Sequence, residues 1–345
     1  MTIRIETKSG GFDVEPKAAE TVLFAGLREG FTLPYECATG TCGTCRARVM
    51  EGHVVNAWAT APGGAKLKPE KGDVLMCQSR ADGPCTLRVP SEVRIEHDNR
   101  PDYFEGEICE IERMTHDVIH FEIALARPIP FIAGQFVVVS APGVNGGRAY
   151  SMVNYTPTLA RWAFAVKRKP DGGFSEWLFT RAEKGSALKL FGPLGKATFN
   201  PHERQNLVVV AGGSGIAGMM SILACAERHD HFRSHRGQVF FGVRTLADGF
   251  YLPELAEHVT AANGALEVTL VLSHEDPANS HHPDYPGIKL DKGFVHEAAM
   301  RALSAGVDNP LAFVAGPPPM VDSALRMLLR DAKVPAGSIK YDKFG

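Results

Sequence analysis

The sequence lacks an excess of charge of either sign. Lys and Arg total 37, Asp and Glu total 39, and the formal net charge of the 345 residues is -2. A nucleic-acid-binding domain needs a basic patch or stripe, and none is visible here. Long apolar runs are also missing, since a stretch such as 207–211 is far shorter than the roughly 20 residues of a membrane-spanning helix. We therefore expect a protein that binds neither nucleic acid nor a membrane.

Several motifs of known chemistry are absent too. The chain has no G-x4-G-K-[ST] phosphate loop and no suggestive order of Ser, His and Asp. It also has no E-x-x-H pair of the kind that holds two metal ions in helical bundles. Its N-terminus starts with a polar, strand-like stretch rather than the basic and apolar segments of a signal peptide. These absences indicate a cytoplasmic protein that does not activate oxygen itself.

Cysteine is present in an informative pattern. An odd number of cysteines, seven, in a long chain argues against a disulfide framework and favours metal binding. Cys37, Cys42 and Cys45 have the spacing C-x4-C-x2-C, and Cys77 follows in Leu-Met-Cys-Gln. The remaining three, which we expect to be small buried apolar residues, are Cys85, Cys109 and Cys225.

The spacing of the first three cysteines is that of plant-type 2Fe–2S sites. Two irons need four thiolates, and one loop can supply three of them if it curls around the cluster. Gly40 and Gly43 allow the backbone conformations and close approach that such a loop needs. Zinc is the alternative, but zinc sites usually pair two C-x2-C hooks. The sequence therefore predicts a 2Fe–2S cluster held by Cys37, Cys42, Cys45 and Cys77.

Composition divides the chain into three blocks. Residues 1–92 hold the cysteine motif, and the polar stretch 93–102 is typical of a linker. Residues 103–200 contain short alternating segments such as 118–123 and 161–167, which favour an antiparallel barrel or sandwich. In 201–345, apolar strand-like runs alternate with helical stretches, which predicts a doubly wound parallel sheet. The predicted strands there are 207–211, 239–243, 266–272 and 311–315, and the predicted helices are 219–229, 252–261, 294–303 and 320–331.

Short motifs in each block carry a resemblance to known proteins. The first 90 residues, with Pro-Tyr-Glu-Cys37 and Leu-Met-Cys77-Gln-Ser, resemble a plant-type ferredoxin domain. Arg148-Ala-Tyr-Ser151 is similar to the R-x-Y-S motif of the ferredoxin–NADP reductase superfamily. Gly212-Gly-Ser-Gly215 follows a strand and resembles that superfamily's A-G-G-T-G-I-A-P loop, and Ala315-Gly-Pro-Pro-Pro-Met320 resembles its C-G-P-P-x-M segment.

Together these motifs resemble the reductase components of bacterial multicomponent oxygenases. Val55-Asn-Ala-Trp58 and Tyr341-Asp-Lys-Phe344 are most similar to the reductases of di-iron aromatic or alkene monooxygenases. The resemblance implies a β-grasp ferredoxin domain, an antiparallel β-barrel flavin domain and a doubly wound parallel-sheet nucleotide domain. Two departures are Gly218, where the family usually has proline, and Ala315, where it has cysteine; the second puts the rate of hydride transfer in question.

The resemblance also implies roles for individual residues. Arg148 is expected to pair with the FAD pyrophosphate, Tyr150 to pack on the flavin ring, and Ser151 to hydrogen-bond near the flavin N5. Phe344 is expected to cover the flavin, which makes it, Tyr150 and Ser151 the candidate catalytic residues. A second pyrophosphate contact is assigned to Gly173, Phe174 and Ser175, and the adenine and phosphate side to Val166 and Lys167.

NADH is expected in the third block. Glycines after a strand let the backbone approach a pyrophosphate at a helix N-terminus. The residues assigned to this site are Gly212, Gly213, Ser214 and Gly215 in the loop, and Ala315, Gly316 and Pro317 beside the nicotinamide. Arg244 suits a 2′-phosphate and Asp248 a free 2′-hydroxyl, so these two residues point to different cofactors; the family's usual donor favours NADH.

The implied activity is an NADH-dependent iron–sulfur flavoprotein oxidoreductase. NADH gives two electrons as hydride, the cluster takes one at a time, and FAD interconverts the two. The implied partner is the hydroxylase component of an oxygenase or a small Rieske ferredoxin, which would dock near the cysteine loop of a monomeric reductase. Two alternatives stay open: the reductase of a Rieske aromatic-ring dioxygenase, and a non-catalytic module that senses redox state or nucleotide.

Overall fold

The computed structural model describes residues 1–156, 158 and 160–343. The strands of the first block are β1 (Ile3–Thr7), β2 (Gly10–Val14), β3 (Arg46–Glu51), β4 (Val54–Asn56), β5 (Asp73–Leu75), β6 (Ser79–Ala81) and β7 (Cys85–Arg88). Five of them form a mixed sheet in the order β2-β1-β7-β3-β5, in which β1 and β7 are parallel. Helix α1 (Val22–Arg28) begins at Thr21, whose hydroxyl accepts a hydrogen bond from the Phe24 N–H. This is the predicted β-grasp arrangement.

The second block is an antiparallel sheet that curls on itself. Its strands are β8 (Asp102–Arg113), β9 (Val118–Leu125), β10 (Phe136–Ser140), β11 (Arg148–Ser151), β12 (Arg161–Lys167) and β13 (Ala187–Leu194), with helix α2 (Gly173–Thr180) beside them. The strand order is β11-β10-β13-β8-β9-β12. The Val153 N–H, just after β11, donates to the Ala163 carbonyl of β12 over 2.8 Å, so the two ends of the sheet meet and the structure is barrel-like.

The third block is a parallel sheet with helices on both faces. Its strands are β14 (Asn206–Gly212), β15 (Gly237–Val243), β16 (Leu266–Leu272), β17 (Ile288–Lys292), β18 (Pro310–Gly316) and β19 (Ile339–Lys343). Its helices are α3 (Ile216–Arg228), α4 (Leu252–Ala261), α5 (Val295–Leu303) and α6 (Pro318–Arg330). The order β17-β16-β15-β14-β18-β19 reverses direction at β14, and α3 and α4 pack on one face while α5 and α6 pack on the other.

The three predicted folds are therefore confirmed. The predicted parallel strands and helices lie where the sequence pattern put them, with α4 and β16 matching at both ends. Strand β17 was not among the predicted elements, because it is short and half-exposed and so shows no apolar run. No helix in the described ranges is both long and apolar enough to cross a bilayer.

The stretch predicted as a linker is held in place rather than extended. Phe31 and Ile95 form an isolated antiparallel bridge, and the Glu96 N–H donates to the Gly30 carbonyl over 2.8 Å. A side chain at Gly30 would collide with the Glu96 carbonyl at 2.1 Å. Strand β8 then begins at Asp102, inside the predicted linker. The chain between the first two blocks is thus tied to both of them.

Candidate functional site

The four predicted ligand cysteines come together at one end of the first block. The Cys45 and Cys77 sulfurs are 3.2 Å apart. The N–H groups of Thr41 and Cys42 each donate to the Cys37 sulfur over 3.3 Å. Backbone N–H groups that point at a sulfur stabilise its thiolate form. The loop therefore both gathers the thiols and supplies donors to them.

The electrostatics of the loop differ from one sulfur to the next. The hydrogen bond with the Cys42 thiol, together with those from Thr41 and the backbone, lowers the pKa of Cys37 to about 4. The hydrogen bond with Cys77 and burial instead raise the pKa of Cys45 well above its ordinary value. Neighbouring thiols cannot all ionise without a compensating cation. Four sulfurs gathered at one loop, with backbone N–H donors aimed at one of them, fit a 2Fe–2S cluster.

A second loop supports the cysteine loop from behind. Gly43, with φ +84°, lies so close to Gly63 that a Cβ at position 43 would be 2.7 Å from the Gly63 carbonyl oxygen. The Gly63 N–H donates to the Gly40 carbonyl over 2.9 Å. Glycine at position 43 is thus required by the close approach of two backbones. This is the close approach that the sequence predicted for a glycine in the cysteine loop.

The other three cysteines do not join the ligand set. Cys85 and Cys225 are buried, as expected, and burial raises the pKa of both thiols. Cys109 is only half-buried, and its thiol donates to the Glu122 carbonyl over 3.5 Å. The expectation of a buried apolar residue is therefore wrong for Cys109, which lies where the register between β8 and β9 shifts, between Ile108 and Glu110.

The R-x-Y-S motif occupies β11. Arg148 donates to the Gly147 carbonyl over 2.9 Å and forms no ion pair with any carboxylate of the described residues, so its charge remains available for an anion. Tyr150 packs against Phe174 with ring centroids 5.2 Å apart, and burial raises the pKa of its phenol. Ser151 is buried and pairs with Phe136 in β10. These side chains fit an anionic group beside an aromatic ring, as FAD provides.

Helix α2 uses its predicted phosphate-binding residues partly for its own structure. The Ser175 hydroxyl is bonded to the Lys169 N–H at 3.1 Å and lies 3.2 Å from the Lys169 carbonyl, which closes the preceding turn. Phe174 is fully buried beneath Tyr150. What remains open to a ligand is the N-terminal turn of the helix from Gly173 onward, whose free N–H groups suit an anion.

The two residues predicted to line the adenine and phosphate side of FAD, Val166 and Lys167, lie in different surroundings. Val166 is buried in the barrel core. Lys167 reaches the neighbouring cavity of the third block and pairs with Asp117 over 3.0 Å. The structure thus places Val166 in the packing of the barrel and Lys167 at the rim of the nucleotide pocket.

A cavity of about 580 Å³ opens at the carboxyl ends of the parallel strands. This is where open α/β sheets bind their ligands, next to the reversal of strand order. Gly212, Gly213, Ser214, Gly215, Gly316 and Pro317 line it, together with Arg244 and Asp248. Gly213 has φ +52°, and a Cβ built there meets nothing within 4 Å, so the loop leaves room for a ligand. The cavity suits a dinucleotide.

Two loops meet behind this cavity. A Cβ at Gly215 would be 2.3 Å from the Ala315 carbonyl oxygen, so glycine is needed there to pass β18 rather than to contact a phosphate. Ala315 itself is buried and pairs with Asp342 of β19. A Cβ at Gly218 would be 3.3 Å from the Ser151 hydroxyl. The start of α3 therefore lies directly against the flavin motif.

Arg244 and Asp248 differ in how far their side chains are already bonded within the protein. Arg244 is exposed and has no ion pair within the described residues. One oxygen of Asp248 accepts hydrogen bonds from the N–H and hydroxyl of Thr245, both at 2.9 Å, and desolvation is outweighed by these bonds, which lower the pKa of Asp248. Asp248 thus first closes its own turn, and the two residues still support different cofactors. Phe344 lies outside the described residues.

Sequence reasoning missed residues that connect the domains. The Tyr35 hydroxyl accepts a hydrogen bond from the Gly195 N–H of the barrel over 3.1 Å. The Tyr341 hydroxyl donates to Glu36 over 3.3 Å, next to the ligand Cys37. Arg148 lies over the ring of Trp58. The sequence signal for all three is an aromatic residue near a motif, but its partner is too distant along the chain to be inferred.

Known protein families match the three blocks in this order. Residues 5–82 match the family described as 2Fe-2S iron-sulfur cluster binding domain, residues 105–199 the Oxidoreductase FAD-binding domain and residues 209–326 the Oxidoreductase NAD-binding domain. The ferredoxin–NAD(P)(+) reductase CarAd of Metapseudomonas resinovorans is 31% identical, covering 95% of each chain. The chain belongs to this family of ferredoxin–NAD(P)+ reductases. It uses FAD, a 2Fe–2S cluster and NADH.

Two further comparisons cover nearly the whole chain. The ferredoxin–NAD(+) reductase component of the alkene monooxygenase system of Xanthobacter autotrophicus is 32% identical over 95% of this chain and 96% of that protein. A solved ferredoxin reductase in carbazole 1,9a-dioxygenase superposes with a TM-score of 0.83 at 29% identity, covering 100% of this chain and 99% of the other. This reductase therefore has the same three-part organisation as its relatives.

Proposed function

We propose that this reductase supplies electrons to a multicomponent aromatic or alkene monooxygenase. It would take a hydride from NADH and deliver single electrons to a hydroxylase or to a small Rieske ferredoxin. The main support for this proposal is that one chain contains the cysteine loop, the R-x-Y-S strand and the nucleotide cavity. FAD, when bound, supplies the exchange between two-electron and one-electron chemistry.

The side chains have separable tasks in this proposal. Arg148 and the N-terminal turn of α2 hold the pyrophosphate of FAD, while Tyr150 and Ser151 border the ring. The loop 212–215 holds NADH, with Lys167 and Asp248 at the rim of the cavity. The proximity of Gly218 to Ser151 supports a nucleotide site that adjoins the flavin site. Phe344 is retained as a proposed flavin cover, and the domain boundaries 1–92, 103–200 and 201–345 as proposed units.

The setting of the protein follows from similar arguments. The three cysteines outside the cluster set, Cys85, Cys109 and Cys225, are free thiols, which supports a reducing, cytoplasmic compartment. Apolar side chains of the ferredoxin and flavin domains cover one another within the chain, which supports a monomer that works away from a membrane. The uncharged loop 37–45 is the proposed docking face for the partner.

The first experiment is an anaerobic titration of the purified protein with NADH, followed by visible absorbance. The flavin bands and the broad iron–sulfur absorbance should both bleach, and the protein should take up more than the two electrons that a flavin accepts. Bleaching by dithionite but not by NADH would contradict the proposal and favour a sensing module. NADH should be a better electron donor than NADPH. A preference for NADPH would instead indicate that Arg244 binds a 2′-phosphate at the rim of the cavity.

A second experiment addresses the partner. The similarity to a reductase in carbazole 1,9a-dioxygenase favours a Rieske dioxygenase as the competing partner. Turnover should be reconstituted in parallel with a di-iron hydroxylase and with a Rieske oxygenase, each with its substrate. Electron delivery to the Rieske system alone would contradict the monooxygenase assignment.

A further inference from the structure

Trp58 lies between the cluster loop and the flavin motif. The neighbouring Ala57 N–H donates to the Gln78 carbonyl over 2.8 Å, and the Ala61 N–H donates to the Trp58 carbonyl over 3.1 Å. The first bond ties the chain beside Trp58 to the segment that carries Cys77, and the second closes the turn that follows Trp58. The indole N–H donates to the Thr60 hydroxyl over 3.1 Å. The polar edge of the indole is therefore satisfied, and the half-buried ring face is left to pack across the domain boundary.

The residue over that face is Arg148 of β11. Its guanidinium carbon is 5.6 Å from the centroid of the Trp58 ring. Its hydrogen bond is to the Gly147 carbonyl at 2.9 Å, and none of the described carboxylates pairs with it. The guanidinium is thus held by an aromatic face and a carbonyl rather than by an anion.

This choice of neighbour matters for ligand binding. An arginine over an aromatic ring keeps its in-plane N–H groups for other partners. A carboxylate in the place of Trp58 would neutralise the charge and compete with a phosphate. An aromatic face orients the guanidinium while leaving the charge and most donors free, which is what binding of an anionic diphosphate requires.

We propose that Trp58 is a positioning residue that the ferredoxin domain contributes to the flavin site, where it orients Arg148 toward the pyrophosphate of FAD. This inference rests on the proposed role of Arg148. It makes FAD affinity depend on a residue of the cluster-bearing domain. Because such coupling is reciprocal, bound FAD also strengthens the contact between the two domains.

The test measures FAD dissociation from the holoprotein on dilution, by the rise in free-flavin fluorescence. Trp58→Leu removes the π face and should raise the FAD dissociation constant about 3- to 10-fold. Trp58→Phe keeps a π face and should restore most of the affinity. Phe24→Leu, a matched change at another ferredoxin–barrel contact, should leave it unchanged. Iron–sulfur absorbance, recorded on the same samples, should be the same in all variants.

A double-mutant cycle separates the mechanism from general damage. In an Arg148→Gln background, Trp58→Leu should have no further effect, since the residue acts through the arginine. Equal losses in Trp58→Leu and Phe24→Leu, or a Trp58→Leu effect that persists without Arg148, would overturn the inference. If Arg148→Gln weakens FAD binding but Trp58→Leu does not, the inference alone fails. If Arg148→Gln has no effect, the proposed flavin site is wrong and the inference falls with it.

Discussion

The ferredoxin domain contacts the two other domains in different ways. Toward the barrel, Phe24 stacks on Phe191 with ring centroids 4.2 Å apart and planes 15° apart. Phe191, Phe136 and Leu194 of the barrel belong to the same apolar cluster as the ferredoxin core. Toward the nucleotide domain, Glu36 accepts a hydrogen bond of 3.3 Å from the Tyr341 hydroxyl and lies beside the buried Asp342, so this contact is polar.

The apolar contact with the barrel is the stronger of the two, whereas the polar contact with the nucleotide domain depends on orientation. Apolar burial contributes roughly 25 cal/mol per Å² whatever the orientation, whereas one neutral hydrogen bond contributes about 1 kcal/mol and only at one geometry. The cluster-bearing domain and the flavin barrel should therefore behave as one unit. The nucleotide domain is joined to the barrel by the hydrogen bond between His120 and Tyr251, 2.8 Å. The two domains also share an apolar cluster that includes Val118 and Ala165 of the barrel and Met219 of α3, so the polar contact with the ferredoxin domain adds little to the attachment of the nucleotide domain.

The largest expected effect comes from removing a cluster ligand. Cys77→Ser should abolish the native cluster, because one iron loses a thiolate, while FAD stays bound in its own domain. Absorbance and the electron paramagnetic resonance of the reduced protein measure the first result, and flavin content the second. Cys85→Ser is the matched control, and an unchanged spectrum in Cys77→Ser would assign the ligand to Cys85. Loss of FAD as well would show that the apolar contact alone does not hold the unit together.

The next effect concerns the polar side of the comparison. Asp342 is buried beside Glu36, and this burial, followed by the charge of Glu36, raises the pKa of Asp342 to about 7. An unfolded aspartate titrates near 4, so between these values the folded chain binds a proton that the unfolded chain lacks. The stability that this provides is present below about pH 4 and is lost as the pH rises to about 7, up to about 4 kcal/mol in the free energy of unfolding.

Asp342→Asn should remove this dependence of the free energy of unfolding on pH. Urea unfolding of the wild type and the variant between about pH 4 and 7 should diverge as the pH rises, with the variant the more stable at the upper end. Asp322→Asn, at an exposed carboxylate paired with Lys343, should follow the wild type throughout. Parallel curves for wild type and Asp342→Asn would show that the carboxyl is not protonated at this contact.

A change at the apolar contact between the ferredoxin domain and the barrel should have a somewhat smaller effect on stability. Phe191→Ala removes a buried ring that also packs on Tyr103, 4.7 Å between centroids, and should destabilise the unit by about 3 kcal/mol. Electron transfer from flavin to cluster should slow, while reduction of ferricyanide by NADH should not. Phe191→Leu should retain most of the stability. A slow ferricyanide reaction would mean that the barrel itself had been damaged.

The sequence predicted the parts of the site that are local. The cysteine spacing needs only one loop, and the strand–glycine–helix pattern at 207–215 needs only one crossover unit, so both could be inferred without tertiary structure. The doubly wound sheet followed because buried parallel strands are continuous apolar runs. Confirmed cofactors and fold thus rest on short-range patterns.

The sequence could not predict which residue each side chain meets across a domain boundary. Trp58 and Arg148 are separated by 90 positions, and neither pattern signals the other. Ser175 fits a phosphate-binding motif, yet its hydroxyl bonds to Lys169, since a short side chain at a helix start serves its own turn equally well. The linker prediction at 93–102 missed the bridge between Phe31 and Ile95 for the same reason.

The smallest effect tests the weak contact directly. Tyr341→Phe removes the hydroxyl that donates to Glu36 and should cost about 1 kcal/mol or less, since the bond is long and half-buried. Tyr251→Phe, which removes the shorter bond to His120, is the matched control at the barrel. Urea unfolding gives the stability, and stopped-flow absorbance gives the rate of cluster reduction, which Tyr341→Phe should leave nearly unchanged. If Tyr341→Phe were as harmful as Phe191→Ala, the two contacts would not differ in kind, and the ferredoxin domain would be fixed to both of its neighbours.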